Sequence, residues 1–503
     1  IKSLIYRISL QSSYEEDHLL KSIAVFENEL SNAAVPEKQI LQSLIAELYF
    51  AYYNANRWKI NKRQALSEDD NEDINTWDAI RINKIIKKYY KASLEDETVL
   101  AEIDLDKYEI ILLQGDSSNF TLWPSLFDML ANRALQYFIS TDAEFTQIVS
   151  TFKTSYNGYF QLSAEFVSLY INPNESSQTE VLILFQRLLA LQIKQNNTEA
   201  LVDLDLKRLK YVYENSLQDE NSEATYLRSL TLLADKYIKH SVYASIAFQL
   251  ANQYFITGKS YVPGFNENNR YDLVKADSIC KVAISEFPNV NGSNNCRNLV
   301  EIINQISFGF DIPVAEMPDK PILSLVQFKN INKLYFKIVI GDPKADANKN
   351  NRKKQILKEL EQKALMSWEQ KLPITKDHRM HRVEVQIPEL TPGYYVIFAS
   401  NDSLFRTTEN IKFKPIWITN ISYITSANKS GGYTDMYTLN RETGISIGKV
   451  NITIYKRQYD NRSRTYAVKE ASKLTSDKNG YAKIESITGN NFGTYLFMFE
   501  KDG

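Results

Sequence analysis

Between residues 308 and 321 the hydrophobic period of this 503-residue chain changes, and the change divides it into two architectures. Upstream, apolar residues recur at helical spacing. Ile40, Leu41, Leu44, Ile45, Leu48, Tyr49 and Tyr52 follow Pro36, which is sited to start that helix. Trp77, Ile80, Ile85, Ile86 and Tyr89 form a second stripe, and Leu126, Phe127, Leu130, Ala134 and Tyr137 a third. Ser176 to Ser216 predicts two helices separated near Gln195-Asn196-Asn197-Thr198. Phe308-Gly309-Phe310 then gives way to Pro313, Pro318 and Pro321. Proline removes a backbone donor and fixes φ, so this cluster marks a boundary between helical and β architecture. Downstream, 322–330, 334–341, 381–389 and 393–401 read as strands with period-two alternation. Asn348 to Ser367 interrupts them with strong helix formers, KKQILKELEQKALMSWEQK, predicting a helical insertion on the edge of a sandwich with a solvated charged face.

The best-defined helical unit runs from Ala247 to Pro288. Ala247, Leu250, Ala251, Tyr254 and Gly258 have the spacing of the first helix of a tetratricopeptide repeat, and Ala276, Cys280, Ala283 and Pro288 that of the second. Lys259 to Lys275 is too long for the tight turn of this ~34-residue repeat and predicts a projecting polar loop. The other helical pairs match more weakly, so the first part reads as a helical-hairpin array. Such arrays expose a concave surface suited to binding, or brace their neighbours.

Trp417 to Lys483 carries the punctuation of a β-domain. It opens WITNISYITS, where Trp417, Ile418, Ile421, Tyr423 and Ile424 supply β-branched and aromatic bulk. Tyr437 and Leu439 lead into a turn, Asn440 to Gly444, and Val450, Ile452 and Ile454 alternate beyond it. Asp477-Lys478-Asn479-Gly480 predicts a tight hairpin turn, because Asn-Gly readily takes positive φ. Strand, Arg-Glu-Thr-Gly turn, strand, long loop, Asn-Gly turn, strand: this order resembles a macroglobulin-like domain of the α2-macroglobulin family. Bacterial Ig-like repeats and carboxypeptidase-regulatory-like domains use a similar grammar. Leu390-Thr391-Pro392-Gly393 before Tyr394 resembles the step that precedes the last strands of macroglobulin-like domains. Together with the helical segment at 43–63, the order resembles the N-terminal part of the very large α2-macroglobulin homologues of Bacteroidetes. The resemblance spans nearly the whole chain. It implies a multidomain α plus β protein: a tetratricopeptide-like α-helical hairpin array over 1–312, then two antiparallel β-sandwiches of macroglobulin-like, Ig-like kind over 319–415 and 416–503.

The family mechanism implied is non-enzymatic. A protease cuts an exposed bait segment, the macroglobulin-like ring rearranges, and the protease is caged. The β-domains would belong to the ring's frame, the target proteases would be partners of the full-length protein, and the helical array would dock an envelope protein. Location would be periplasmic, extracellular or on the cell envelope, with a lipid anchor on the full-length protein as one form. The family's Cys-x-Glu-Gln thioester motif does not occur here: Cys280 precedes Lys281-Val282-Ala283, and Cys296 precedes Arg297-Asn298-Leu299. With motif and bait normally far downstream, the chain resembles an N-terminal portion that traps nothing covalently by itself. Two other readings stay open: an envelope scaffold binding a peptide or glycan, and a non-catalytic module of a polysaccharide-processing enzyme.

Little else in the sequence suggests chemistry. A net charge of −2 without a Lys/Arg block argues against nucleic acid as partner. No run of about 18 apolar residues is present to span a membrane as a helix. The chain begins at Ile1 without a Met or a charged-then-apolar leader, which reads as a mature or shortened form. Cys280 and Cys296 are the only cysteines, and on the repeat reading they fall on adjacent helices. Such a pair can approach to disulfide distance or stay as two buried thiols; the export implied by the resemblance favours the disulfide. His378 and His381 precede a predicted strand without a carboxylate pair, so no metal is expected there, and no cofactor or catalytic motif stands out. Asp69-Asp70 and Glu72-Asp73, in the polar run SEDDNED, read as a loop.

Overall fold

A computed structural model of the chain describes residues 2–11, 18–63, 73–108, 121–140, 157–172, 177–216, 220–347, 352–406, 410–428, 433–461, 465–485 and 495–501. It forms two compact units, Ile1–Val300 and Glu301–Gly503. The first is helical and the second holds two β-sandwiches, so the chain is a multidomain α plus β protein.

The helical unit comprises α1 (Lys2–Gln11), α2 (His18–Leu30), α3 (Glu37–Ile60), α4 (Ala79–Ala92), α5 (Glu97–Ala101), α6 (Leu126–Ile139), α7 (Ser163–Val167), α8 (Ser177–Gln195), α9 (Thr198–Asn215), α10 (Glu220–Lys236), α11 (Tyr243–Lys259), α12 (Asp272–Glu286) and α13 (Asn291–Asn304). From α2 to α4 and from α7 to α12, sequence neighbours pack on one another or on the helix preceding them. Local chemistry sets several boundaries. Ser125 and Asp128 form a capping box at the start of α6. Asn196 ends α8 with φ +55°, and the Asn197 side chain accepts from the Ala200 N–H to start α9, at the predicted break. Leu126, Phe127, Leu130, Ala134 and Tyr137 are all buried. On α4 the buried stripe is Ile82, Ile86 and Tyr90, while Ile80 lies exposed; Trp77, just ahead of the helix, is buried and stacks on Tyr49.

One interaction in this core was not expected. Arg208 and Asp205 are both fully buried, and the Arg208 Nε donates to Asp205 Oδ1 at 2.8 Å. The guanidinium also donates to the Tyr159 and Gln161 carbonyls and lies over the Phe166 ring. It thereby holds the segment 157–166 on α9.

The first sandwich begins at β1 (Ser307–Asp311), inside the span expected to be helical. Phe308 and Phe310 point into the sandwich core, and the whole strand pairs with β3 (Ile322–Lys329). The order of one sheet is β1-β3-β6, with β6 at His381–Ile387. The other is β2-β8-β7-β4-β5: β2 is Ala315–Glu316, β4 Lys333–Ile340, β5 Met366–Lys371, β7 Gly393–Ser400 and β8 Ile411–Ile418. Every pairing is antiparallel except β2 with β8. Ile322, Val326, Val385 and Ile387 meet Leu334, Phe336, Ile338, Ile397, Ile416 and Ile418 between the sheets. Each such side chain contributes about 1.5–3 kcal/mol on burial. At the predicted Leu-Thr-Pro-Gly step the Tyr395 hydroxyl donates back to the Thr391 carbonyl, a tyrosine-corner arrangement.

The insertion differs from its expected form. Helices α14 (Pro343–Ala347) and α15 (Arg352–Glu361) stop before Met366, where β5 begins and pairs with β4. Residues 348–351 lie outside the described residues. α15 is not an edge ornament: Ile356 and Leu360 pack with Phe405, Ile411 and Phe413 on Val339, Val396 and Phe398, covering the outer face of the five-stranded sheet.

The second sandwich holds β9 (Ile421–Asn428), β10 (Tyr433–Asn440), β11 (Asn451–Asp460), β12 (Thr465–Thr475), β13 (Tyr481–Glu485) and β14 (Tyr495–Glu500). Its sheets run β13-β10-β9 and β12-β11-β14, all antiparallel. Trp417 and Ile418 finish the first sandwich instead of opening the second. The expected long loop after Ile454 contains a long strand, β12. Asp477–Gly480 does not close a hairpin between paired strands, since it leads from β12 in one sheet to β13 in the other. Met436, Val450, Ile452, Ile454, Ala482 and Ile484 form the core.

Candidate functional site

The turn from α12 into α13, behind the hairpin of α11 and α12, brings the two cysteines together. Thr257 donates to the buried Asp272 carboxylate at 2.7 Å, fixing the two helices near their joining loop. The neighbouring Gly258 leaves no room for a side chain, because a Cβ there would lie 2.9 Å from Leu273 N. The loop 260–271 ties itself together: Gly264 N–H and the Tyr261 hydroxyl donate to Glu267, holding its carboxyl below the usual range. Across the following turn, Cys280 on α12 and Cys296 on α13 are fully buried free thiols. They share a hydrogen bond, which together with burial pushes Cys280 well above the ordinary thiol range, while the same hydrogen bond pulls Cys296 below it against the effect of burial.

The same packing builds a groove. Gly292, at the start of α13, sits so close to α11 that a Cβ would lie 2.4 Å from Ser245 N and 2.5 Å from Ala244 C. Only glycine permits that approach. The resulting N-termini of α11 and α13 face one side of α9 across a groove of about 430 Å³. Glu199, Asp203, Ser241, Ser245, Asn289 and Asn291 supply its polar groups, and Val202, Leu206, Val242 and Val290 its apolar floor. Asp203 also pairs with Lys207 at 2.6 Å. No residue of the 260–271 loop lines the groove, so the loop does not fill it. A mixed lining of hydroxyls, amides, two carboxylates and aliphatic groups suits the capture of a polypeptide segment. The Ser241 hydroxyl lies 3.5 Å from the Nδ1 of the neighbouring His240.

The histidines do not meet. His381 Nε2 lies 2.8 Å from Asp377 Oδ1, whereas His378 Nδ1 lies 3.0 Å from Asn330 Oδ1. Among the described residues no cluster of three or more His, Cys, Asp or Glu is placed to hold a metal ion. No described helix is long and apolar enough to cross a membrane. Asp69, Asp70 and Glu72 lie outside the described residues. The groove residues escaped the sequence reading because Glu199 and Asp203 have the signature of a solvated helix face and Val202 and Leu206 that of a helix core. Asn289-Val290-Asn291-Gly292 was the one local signal, marking a turn but not its partner.

No family model matches the chain, and no curated protein does. Among solved structures it is similar to the crystal structure of native alpha-2-macroglobulin from Escherichia coli spanning domains NIE-MG1. The identity is 14% and the TM-score 0.29, over 40% of this chain and 94% of that one. It is also similar to the structure from the same organism spanning domains MG0-NIE-MG1, at 13% identity and TM-score 0.27, over 39% of this chain and 64% of that one.

Proposed function

We propose that this chain is a non-catalytic part of a larger α2-macroglobulin-like envelope protein that traps endopeptidases, its sandwiches forming part of the frame and its helical unit a docking module. One observation carries this reading: two successive sandwiches share a strand order, and their turns bear the macroglobulin-like sequences at 390–394, 440–444 and 477–480. Repetition of one sandwich in tandem is what a frame requires, whereas a single catalytic domain has no use for it. The groove beside α9 gives the docking module its contact surface, and Glu199 and Asp203 favour a basic segment there. The test is made on the full-length protein with an added endopeptidase. Hydrolysis of a large protein substrate is expected to fall to a small fraction while hydrolysis of a short chromogenic peptide persists. Equal loss of both, or of neither, would remove the trapping function and leave a binding scaffold.

The same reading places the protein in an oxidising compartment, where Cys280 and Cys296 join as a disulfide. Their burial side by side supports the bridge. Closing so short a loop stabilises by about 3 kcal/mol. Protein exported to an oxidising compartment should therefore resist alkylation at both cysteines after denaturation and accept it at both after reduction. Full alkylation without reduction would show that the thiols stay free.

A further inference from the structure

Loop 260–271, which joins α11 to α12, turns apolar side chains outward at its tip, Val262-Pro263-Gly264-Phe265. The Phe265 N–H donates to the Val262 carbonyl at 3.1 Å, and Gly264 has φ +80°. Proline before a glycine of positive φ is the signature of a type II turn, with Val262 and Phe265 as its first and fourth residues. Both are open to solvent, Phe265 to 88% and Val262 to 54%. Ile256 near the end of α11 and Tyr271 just ahead of α12 are also exposed, at the same end of the hairpin.

The hydrophobic effect alone would fold such a tip back onto its scaffold, so polar contacts must hold it out. Glu267 accepts from the Gly264 N–H at 2.7 Å and from the Tyr261 hydroxyl at 3.0 Å. The Asn266 Oδ1 accepts from the Val262 N–H at 2.6 Å, and its amide donates to the Ser260 carbonyl. Below the tip, the Thr257–Asp272 hydrogen bond clamps the two helices. The exposed charge at this end is mainly basic. Lys259, Arg270 and Lys275 are all exposed, whereas Asp272 is buried and Glu267 has both oxygens engaged within the loop. Lys275 pairs with Asp272 at 2.8 Å, while Lys259 and Arg270 lie over the rings of Phe255 and Tyr271.

We propose that this loop docks the helical unit on an anionic lipid surface. Val262 and Phe265 enter the boundary between headgroups and acyl chains, and Lys259 and Arg270 meet the headgroup charge. A membrane interface suits an apolar tip with a basic collar, because it takes in side chains without needing a matched pocket. Lysine and arginine add attraction close to anionic lipid. The internal hydrogen bonds set the turn beforehand, so little ordering remains to oppose binding. Two apolar side chains and a few cations make a weak, reversible attachment. The loop would act in this way whether the sandwiches trap proteases or serve a scaffold, and described helices close both its ends.

The probe is a sucrose-loaded vesicle of phosphatidylcholine with about 30% phosphatidylglycerol, sedimented with the whole chain over a range of lipid concentrations. Phe265→Asp is expected to weaken binding about tenfold or more. Phe265→Trp should preserve or strengthen it, since tryptophan favours the membrane interface. Lys259→Gln and Arg270→Gln should each weaken it about fivefold, an effect that vanishes on phosphatidylcholine alone. These side chains are exposed, so the helical circular dichroism of every variant should match that of the parent. Equal binding of the parent and Phe265→Asp would reduce the effect to charge adhesion and overturn insertion of the tip. Absence of binding at about millimolar lipid would overturn lipid docking and leave Phe265 to a protein pocket. A dimer that ignores vesicles and that Phe265→Asp separates would overturn it too, by assigning the tip to a second copy.

Discussion

Arg208→Ala is expected to destabilise the helical unit by about 3–5 kcal/mol, the loss typical when one member of a buried ion pair is removed. The reason is what stays behind. Asp205 is fully buried, and its Oδ2 already has no hydrogen-bond partner. Without the guanidinium, Oδ1 loses its donors and the carboxylate has neither water nor counter-charge. The Tyr159 and Gln161 carbonyls lose their donors as well, at about 1–3 kcal/mol for each group left buried and unpaired. Against a total stability of about 5–15 kcal/mol for an ordinary domain, that is a large fraction. The double replacement Asp205→Leu with Arg208→Met should recover part of the loss, because the stranded charge goes too; the two carbonyls remain unsatisfied, so recovery stops short. Urea unfolding followed by helical circular dichroism reads both variants. A loss under about 1 kcal/mol for Arg208→Ala would show that water reaches the pair.

Nothing in the sequence marks Arg208 as different from Lys207 or Lys210, which lie on the same helix and stay exposed. Its role arises from segment 157–166, a contact that periodicity does not encode. Elements with a strong one-dimensional pattern were readable. The α8–α9 break was explicit in two asparagines, and β3, β4, β6 and β7 alternate or run apolar because they face a core. Edge strands were not. β5 follows a run of helix formers and buries little, and β12 is interspersed with charge because one side of it meets solvent. β1 hid behind Gly309 and the prolines, which mark a boundary correctly but not on which side of it the strand falls. The groove was least readable, since it needs Gly292 to bring the start of one helix against another some 50 residues upstream.

Gly480→Ala should cost the second sandwich about 3 kcal/mol or more, whereas Gly444→Ala in the same domain should cost only about 1–2 kcal/mol. Both glycines have positive φ, +79° and +70°, so both replacements pay for a left-handed backbone. They differ in surroundings. A Cβ on Gly444 meets nothing within 4 Å, while one on Gly480 would lie 2.5 Å from the Thr438 carbonyl oxygen and 3.0 Å from that of Ile447. Neither oxygen can move freely. Thr438 is fully buried; its N–H donates to the Gly480 carbonyl, and its hydroxyl donates to the Ile447 carbonyl at 2.6 Å. Ser476 accepts there from the Val450 N–H, so β10, the start of β11 and the turn into β13 join at one polar point inside the sandwich. Relieving the clash means separating that junction, at about 1 kcal/mol for each hydrogen bond lost. Gly480→Asn discriminates the two costs, because asparagine tolerates the left-handed region but still carries a Cβ. It should remain nearly as destabilising as alanine at 480, and asparagine at 444 should be almost neutral. Hydrogen exchange of the β10 and β13 amides, compared between the 444 and 480 variants, is the measurement. Equal protection in both would mean that strain alone, and not the packed junction, makes Gly480 necessary.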